Sequence, residues 1–336
     1  MNMKIRRFTP NDYAAIAEIN NVFWMEEQLT AEQWQSEDAN RAPHCKHARW
    51  VAEDAGQVVG MGEYDQLAGR YHPDKYWLRV EVLPAYQQRG IGAALYDTVI
   101  NAVTQLDPWL VRFALRENMD ASLRFLRVRG FTEEWRSYES QLDVRRFDPA
   151  YFAGVEDKLR AQGIAIKPYQ EFADDPARDQ KLYELFEDTR ADTAFIEPLT
   201  RTEYARWRDM FLEGFRANTD AFWVATRNGQ YIGLAMLNAA KPGADIETRW
   251  AGVRRDLRGQ GIATALRLRM IAYARSHDHP RLNTVTNSRN APVIALNKKF
   301  GYVDQPAWVY YVQIIKPQEH TEAHGKNSVT RLEKQT

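Results

Sequence analysis

The sequence contains almost no cysteine. Cys45 is the only one among 336 residues, so the chain cannot form an internal disulfide, and a disulfide-stapled secreted domain is excluded. Long apolar runs are also missing, because no stretch approaches the roughly 20 residues that a membrane-spanning helix needs. The start, MNMKIRRFTPNDY, lacks the apolar segment of a signal peptide. These features predict a soluble, cytoplasmic protein without a membrane partner.

The chain also lacks an excess of charge of either sign. Lysine plus arginine equals aspartate plus glutamate, at 45 residues each. No overall field attracts nucleic acid or an anionic surface, so neither is predicted as a partner. The chain is 44% apolar and 27% charged, which is ordinary for a globular protein. A chain of 336 residues is longer than a domain with one ordinary hydrophobic core, so two domains are predicted.

An internal repeat supports this division. The segment VLPAYQQRGIGAAL (82–95) recurs as VRRDLRGQGIATAL (253–266). Such a long period indicates duplicated domains rather than a solenoid. The same offset of 171 residues separates Val82 from Val253, Gln87 from Arg258, Gly90 from Gly261, and Phe131 from Tyr302.

Each copy predicts the same order of elements. A short strand and one or two helices precede a hairpin and a third long strand, after which a glycine loop opens a helix. A strand, a short helix and a last strand follow. We therefore predict an α/β (α+β) fold with two tandem domains, 1–145 and 164–316, joined by a charged linker at 146–163. The tail, 317–336, has almost no apolar residues and is predicted to be disordered.

The glycine loops are candidate anion sites. A loop that opens a helix directs free backbone N–H groups outward at the positive end of the helix dipole, where phosphate commonly binds. Glycine permits close approach of the backbone. Arg89 in the first copy, or Arg255 and Arg258 in the second, could add charge-assisted contacts. The alternative is a loop whose glycines only permit a tight turn.

Two common phosphate motifs do not fit these loops. Neither copy contains the Gly-Lys-Ser/Thr of a Walker loop. The dinucleotide fingerprint needs a third glycine, and Ala94 or Leu95 and Thr264 stand near that place instead. The preceding strand also comes too late in each domain for a dinucleotide fold.

The loops do resemble the coenzyme A pyrophosphate motif of the GNAT superfamily of N-acetyltransferases, Gln/Arg-x-x-Gly-x-Gly/Ala. The copies are QQRGIG (87–92) and RGQGIA (258–263). The family's ending, an asparagine followed by a short helix and Gly-Phe/Tyr, also occurs twice, at 118–131 and 287–302. The resemblance extends over nearly the whole chain, to about Lys316.

This resemblance implies two tandem GNAT-like domains, each with a mixed, mostly antiparallel sheet that is flanked by helices and splayed between its fourth and fifth strands. It implies acetyl-coenzyme A, or another acyl-coenzyme A, as the acyl donor, with its pantetheine arm along the fourth strand. The residues that it implies at the coenzyme are Val82, Gln87, Gln88, Arg89, Gly90, Ile91, Gly92, Ala93 and Asn118 in the first half, and Val253, Arg258, Gly259, Gln260, Gly261, Ile262, Ala263, Thr264, Asn290 and Asn297 in the second. Asn290 and Asn297 could instead cap the short helix.

The usual catalytic acid is missing. Family members carry a tyrosine four residues before the closing glycine, and here Leu126 and Asn297 occupy those positions. The candidate bases are carboxylates near the fourth strand, Glu81 in the first half and Asp245 and Glu247 in the second, of which Glu247 is the first choice. The alternative is that they are ordinary charged strand residues. The cluster His44-Cys45-Lys46-His47 lacks a recognisable zinc spacing, so no metal is predicted.

Three functions remain open at this point. The first is an N-acyltransferase that acts on the primary amine of a small molecule, with a catalytic second half and a supporting first half. The second is a non-catalytic module that binds coenzyme A as a sensor or scaffold. The third is an acetyltransferase for protein lysines or N-termini. A homodimer is compatible with all three functions.

Overall fold

The computed structural model describes residues 3–24, 28–193 and 199–316. The tail that was predicted to be disordered lies outside these residues. Within them, no helix is long and apolar enough to cross a membrane. The strands are β1 (Met3–Arg7), β2 (His47–Asp54), β3 (Gln57–Asp65), β4 (Lys75–Val82), β5 (Leu110–Arg116), β6 (Thr132–Asp143), β7 (Ile164–Pro168), β8 (Phe222–Arg227), β9 (Gln230–Leu237), β10 (Ile246–Val253), β11 (Arg281–Asn287), β12 (Val303–Asp304) and β13 (Trp308–Ile314).

The α-helices follow the predicted order in each half. The helix α7 continues into a π-helical turn at Asp209–Glu213. The helices are α1 (Tyr13–Phe23), α2 (Ala31–Ala39), α3 (Ile91–Thr104), α4 (Asp120–Arg127), α5 (Val155–Ala161), α6 (Arg178–Ala191), α7 (Tyr204–Arg208), α8 (Ile262–Ser276) and α9 (Ala291–Phe300).

The two predicted hairpins form at β2–β3 and β8–β9. Their turns carry Ala55-Gly56, with φ of 49° and 84°, and Asn228-Gly229, with φ of 50° and 76°. Two successive residues with positive φ make the turn whose twist matches that of the flanking strands. The hairpins place β3 beside β4 and β9 beside β10, so each half presents its third long strand next to a hairpin.

All described strands join one sheet of 13 strands, in the order β1-β2-β3-β4-β5-β13-β6-β11-β10-β9-β8-β7, with β12 paired to β6. The pairs β4–β5 and β10–β11 are parallel, and the other pairs are antiparallel. The sheet is therefore mixed and mostly antiparallel, as the sequence predicts.

The halves exchange strands where they meet. The last strand, β13, lies between β5 and β6 of the first half. The end of β6 (137–143) pairs along β11 of the second half. The predicted boundary at 145 therefore does not divide the sheet, because each half contributes a strand to the ladder of the other.

The segment 146–163, which is predicted as a linker, forms regular structure. It contains a 3-10 turn at Pro149–Phe152 and the helix α5. Phe147, Phe152 and Leu159 are buried in one core cluster with residues of α8 and β10. Apolar side chains within the charged stretch thus attach it to the second half, and the segment is part of that domain's core.

Helices cover both faces of the sheet. One face packs against α3 in the first half and α8 in the second, and we call it the α3 face. The other face packs against α1 and α2 in the first half and α6 and α7 in the second, and we call it the α1 face. Because side chains alternate along a strand, neighbouring residues at any point belong to opposite faces.

Candidate functional site

Both halves contain two parallel strands that separate after a few residues. β4 and β5 pair over Lys75–Trp77 and Leu110–Arg112. β10 and β11 pair only at Ile246–Glu247 and Leu282–Asn283. Beyond these pairs the strands share no further ladder, so the sheet opens between them. We call these openings the first fork and the second fork, and each lies between the fourth and fifth strands of its half, where the resemblance places the splay.

A glycine in the left-handed region begins the helix that follows each fork. Gly90, with φ of 81°, precedes α3, and Gly261, with φ of 95°, precedes α8. The loops are anchored by matching hydrogen bonds: a side-chain N–H of Gln87 donates to the carbonyl of Val82 at 2.9 Å. Arg258 Nε donates to the carbonyl of Val253 at 3.0 Å. These hydrogen bonds fix the first turn of each helix beside its fork.

The first turn of each helix offers backbone donors to an anion. In α3, the first backbone N–H that donates to a carbonyl one turn earlier is that of Ala94, and its acceptor is Gly90. In α8, it is that of Ala265, and its acceptor is Gly261. The N–H groups before them have no acceptor within the helix and lie at its positive end. A Cβ added to Gly90 would meet none of the described atoms within 4 Å, so the space in front of that loop is open. The loops therefore suit a phosphate such as that of coenzyme A.

The remaining predicted loop residues occupy two kinds of position. Ile91 and Ile262 are buried in the cores, so only their backbone faces the loop. Gln88 and Gly259 correspond in the two copies and have positive φ, of 58° and 77°. Gly92, Ala93, Gln260, Ala263 and Thr264 lie in or next to the first turn at partly or fully exposed positions.

The arginines of the two loops have different hydrogen-bond and ion-pair partners. In the first loop, Arg89 donates to the carbonyl of Ala85 at 2.8 Å. In the second loop, Arg255 and Arg258 both bind Asp192, which follows α6, and Arg258 does so at 2.8 Å. The side chain of Asp192 is 17% exposed, whereas that of Arg255 is 77% exposed. A carboxylate thus lies between two cations that were expected to meet phosphate.

Glu247 lies at the origin of the second fork. It is the last residue of β10 that pairs with β11, opposite Asn283. The side-chain N–H of Asn238 donates to its carboxylate at 2.8 Å. The ladder of β10 with β9 shifts between Thr248 and Trp250, which leaves one extra residue in β10. Such a bulge bends its strand and increases its twist, and here it turns β10 away directly after Glu247.

Glu81 occupies a different place in the first half. The repeat offset aligns it with Gly252, near the loop end of β10, whereas Trp77 is the residue at the origin of the first fork. Arg79 donates to both carboxylate oxygens of Glu81, at 2.7 and 2.8 Å, and Trp24 Nε1 donates at 2.6 Å. Burial raises the pKa of Glu81, although Arg79 and Trp24 oppose the shift. The two candidate bases are thus not equivalent.

The predicted asparagines are not brought together with the loops. Asn118 is exposed in the turn before α4. Asn290 caps α9 by accepting a backbone N–H, which is the alternative role considered for it. Asn297 is 4% exposed and donates to Thr286 Oγ1 at 3.2 Å, on the α3 face. Leu126 is buried in the first core, so neither position normally held by the tyrosine offers an acid.

Three polar residues beside these features carry no signal in the sequence. Asp192 contacts the second loop from a helix that precedes it by more than sixty positions in the chain. Asn238, directly after β9, and Asn283 on β11 flank Glu247. The strand register brings these three residues to the site, and no local motif marks them.

Comparisons with known proteins agree with this architecture. The sequence model of the acetyltransferase (GNAT) family matches the chain twice, at residues 13–131 and 180–302, which together make up well over half of it. A search of curated proteins found no match.

Solved structures share the fold over most of the chain. A GCN5-related N-acetyltransferase from Sphaerobacter thermophilus is 19% identical, with a TM-score of 0.65, over 94% of this chain and 96% of that chain. A tandem GNAT protein from the clavulanic acid biosynthesis pathway is 17% identical, with a TM-score of 0.67, over 95% of this chain and 100% of that chain. Two family matches in one chain, each containing a fork and a glycine loop, show that this protein belongs to the GNAT family of acetyltransferases and contains two GNAT domains in tandem.

Proposed function

We propose that this protein is an N-acyltransferase that moves an acetyl or other acyl group from acyl-coenzyme A to the primary amine of a small molecule, and that its second half performs the transfer. The observation that carries this proposal is the position of Glu247 at the origin of the second fork, directly before the bulge of β10. The first fork has Trp77 at that point, and its ladder with β3 is regular.

Glu247 supplies the base that the reaction needs. A primary alkylammonium has a pKa near ~10.4, so most of it is protonated and unreactive at neutral pH. A carboxylate at the fork accepts one ammonium proton, directly or through a water molecule, as the nitrogen approaches the thioester. Asn238 fixes the orientation of this carboxylate through its hydrogen bond.

The atoms of the transfer balance without a further reagent. The amine nitrogen forms a bond to the carbonyl carbon of the thioester, and the carbon–sulfur bond breaks with its electron pair on sulfur. The ammonium first gives one proton to Glu247, which returns it to solvent. The nitrogen loses its second proton as the tetrahedral intermediate collapses, and the departing sulfur takes up one proton through solvent. An ordinary thiol has a pKa of about 8.5, so its thiolate is a competent leaving group and tolerates the absence of a tyrosine acid.

Backbone and side-chain groups of the second loop suit the acyl donor, acyl-coenzyme A. The backbone N–H groups that follow Gly261 would hold the pyrophosphate, with Arg255 and Arg258 as charged partners. When bound, acyl-coenzyme A supplies the acyl group as a thioester. The first loop offers the same backbone donors, which supports a second coenzyme site in a supporting half.

A thiol-release assay tests this function. The full chain is incubated with acetyl-coenzyme A and a panel of alkylamines, aromatic amines, polyamines, amino sugars, amino acids and lysine peptides. We expect amine-dependent release of coenzyme A and acylation of a small primary amine. Coenzyme A binding without release of thiol from any acceptor would instead support the sensor or scaffold function. Turnover with lysine peptides alone would support a protein acetyltransferase.

A further inference from the structure

Three polar side chains form a row at the origin of the second fork. Asn238 is hydrogen-bonded through its backbone N–H to the carbonyl of Glu247 at 2.9 Å, and Glu247 pairs with Asn283. Residues that pair across neighbouring strands place their side chains on the same face of a sheet. Ile246 and Leu282, which precede Glu247 and Asn283, lie in the core of the α3 face, so the row lies on the α1 face.

The two amide oxygens of this row have no donor among the described residues. Asn238 is 9% exposed, and its Oδ1 has no hydrogen-bond partner among the described residues. The buried Oδ1 of Asn283 has no partner within the same part of the chain. An ionised carboxylate only accepts hydrogen bonds, so Asn238 must turn its NH₂ group to Glu247 and keep its oxygen for another donor. Buried acceptors without a donor are costly and rare in folded proteins.

We propose that this row is the binding subsite for the ammonium group of the acceptor. A primary ammonium carries three N–H donors, and the row offers three acceptors: the Glu247 carboxylate and the amide oxygens of Asn238 and Asn283. The inference rests on the proposed function and adds the chemistry that the acceptor presents, a primary ammonium on a saturated carbon. It also assigns binding roles to two asparagines that neither the loops nor the repeat indicated.

The subsite also explains the order of the proposed steps. The ammonium binds with its charge opposite Glu247 and its remaining N–H groups on the two amides. Loss of one proton to Glu247 leaves a neutral amine that is still held by two hydrogen bonds, beside the opening where the thioester would lie. The asparagines therefore act as positioning residues and take up no proton.

The first fork has no equivalent subsite. The corresponding row on its strands is Asp65, Trp77 and Arg112. Asp65 is already bound by Arg41, and Arg112 is bound by Glu134. A buried guanidinium and an indole in place of Asn283 and Glu247 would repel or exclude an ammonium, so acceptor binding is expected in the second half alone.

Methylated amines test the number of donors. The primary amine with the highest activity in the panel is compared with its N-methyl and N,N-dimethyl derivatives as competitive inhibitors in the thiol-release assay. Each methyl group removes one N–H donor and leaves a buried acceptor unsatisfied, so the inhibition constant should rise by about tenfold per methyl group. Inhibition constants of both derivatives that equal the KM of the primary amine would overturn the subsite.

Substitution of Asn283 provides an independent test. Asn283→Leu keeps the size of the side chain but removes the amide oxygen, so the KM for the amine should rise by about tenfold, while the affinity for coenzyme A stays the same. Asn283→Asp retains acceptor oxygens and should keep a low KM. Gln141→Leu is the matched control, because Gln141 pairs with Asn283 on the next strand away from the fork and should leave both constants unchanged.

The outcomes separate this inference from the proposed function. Absence of thiol release with every amine in the panel contradicts the function itself. Turnover with an unchanged KM in Asn283→Leu contradicts the subsite and leaves the acyltransferase standing. A higher KM in both Asn283→Leu and Asn283→Asp would mean that the side chain serves the local structure, and it would also overturn the proposed role.

Discussion

Trp24 and Trp308 stack with their ring centroids 4.7 Å apart and their planes 19° apart, although they belong to opposite ends of the chain. Each indole N–H donates to a carboxylate at 2.6 Å, Trp24 to Glu81 on β4 and Trp308 to Glu139 on β6. Trp308 also pairs with Arg116 at the open end of β5. The stacked indoles therefore join both sides of the first fork on the α1 face.

This contact distinguishes the two forks. The exchanged strand β13 brings Trp308 into the first half, where the indoles cover the side of the fork that lies towards α1 and α2. The corresponding side of the second fork carries the row of Asn238, Glu247 and Asn283. Both forks have a glycine loop, and we infer that an acceptor reaches only the second fork.

The first prediction concerns the base. Glu247→Gln keeps the shape of the side chain and can still form hydrogen bonds, but it removes the proton acceptor. General-base catalysis typically contributes about 10²–10⁴-fold, so we expect a loss of that order in kcat. Steady-state kinetics with saturating acetyl-coenzyme A measures the loss, and calorimetry should show an unchanged affinity for coenzyme A.

Glu81→Gln is the matched control for this prediction. Its carboxylate is bound by Arg79 and Trp24 beside the covered fork, so its replacement should leave turnover unchanged. An inactive Glu81→Gln together with a normal Glu247→Gln would assign catalysis to the first half. Normal turnover in both variants would exclude a carboxylate base on either strand.

The second prediction concerns the coenzyme loop. Gly261→Ala places a side chain on a residue with φ of 95°, and the left-handed region costs an L-residue roughly 1–2 kcal/mol. The backbone should leave this region and misalign the N–H groups of the first turn, so calorimetry should show coenzyme A binding weakened by about tenfold. Gly229→Ala introduces similar strain in a hairpin turn, at φ of 76°, and should leave the affinity unchanged. Equal affinity in both variants would mean that the loop is only a turn.

The loops and hairpins could be predicted because their signals are local. Gly261 and Gly90 recur at one offset, and each needs a left-handed backbone that few other residues adopt. The fold class followed from the same repeat and from the resemblance. Glu247 could be proposed as a base because of the strand on which it lies. The sequence could not show that Glu247 and Glu81 occupy different places, because the fork and the bulge depend on which residues of neighbouring strands pair.

The strand exchange could not be predicted for a similar reason. The second copy ends in an apolar strand, WVYYVQI. This pattern does not say whether β13 pairs with β5 or within its own half. The stretch at 146–163 is predicted as a linker because charged residues are spread along it. Three of those apolar residues, Phe147, Phe152 and Leu159, decide its packing.

The third prediction concerns Asp192, whose carboxylate binds both arginines of the second loop. Phosphate groups of the coenzyme must compete with this carboxylate for Arg255 and Arg258. Asp192→Asn removes the competitor, and one charge at a separation of several ångströms corresponds to about five- to tenfold tighter binding at low salt. The gain should shrink as salt is added.

Asp256→Asn controls for the general change in charge. Asp256 lies in the same loop but pairs with Arg254, so its loss alters the net charge equally without releasing Arg255 or Arg258. Its gain in affinity should be smaller. Weaker binding in Asp192→Asn would show that this carboxylate orders the arginines for the coenzyme rather than competing with it.

The last prediction concerns the exchanged strands. Leu142 belongs to the first half by sequence, but it is 4% exposed within the core cluster of the second half. Leu142→Ala should cost about 2–5 kcal/mol, and the loss of protection in hydrogen exchange should appear in α8 and β11 rather than in α3. Leu95→Ala, in the first core, is the matched substitution and should expose α3 first. If Leu142→Ala instead reduced hydrogen-exchange protection only in the first half, β6 would not stabilise both domains. The sheet that the two halves share, which separates an open fork from a covered one, would then be contradicted.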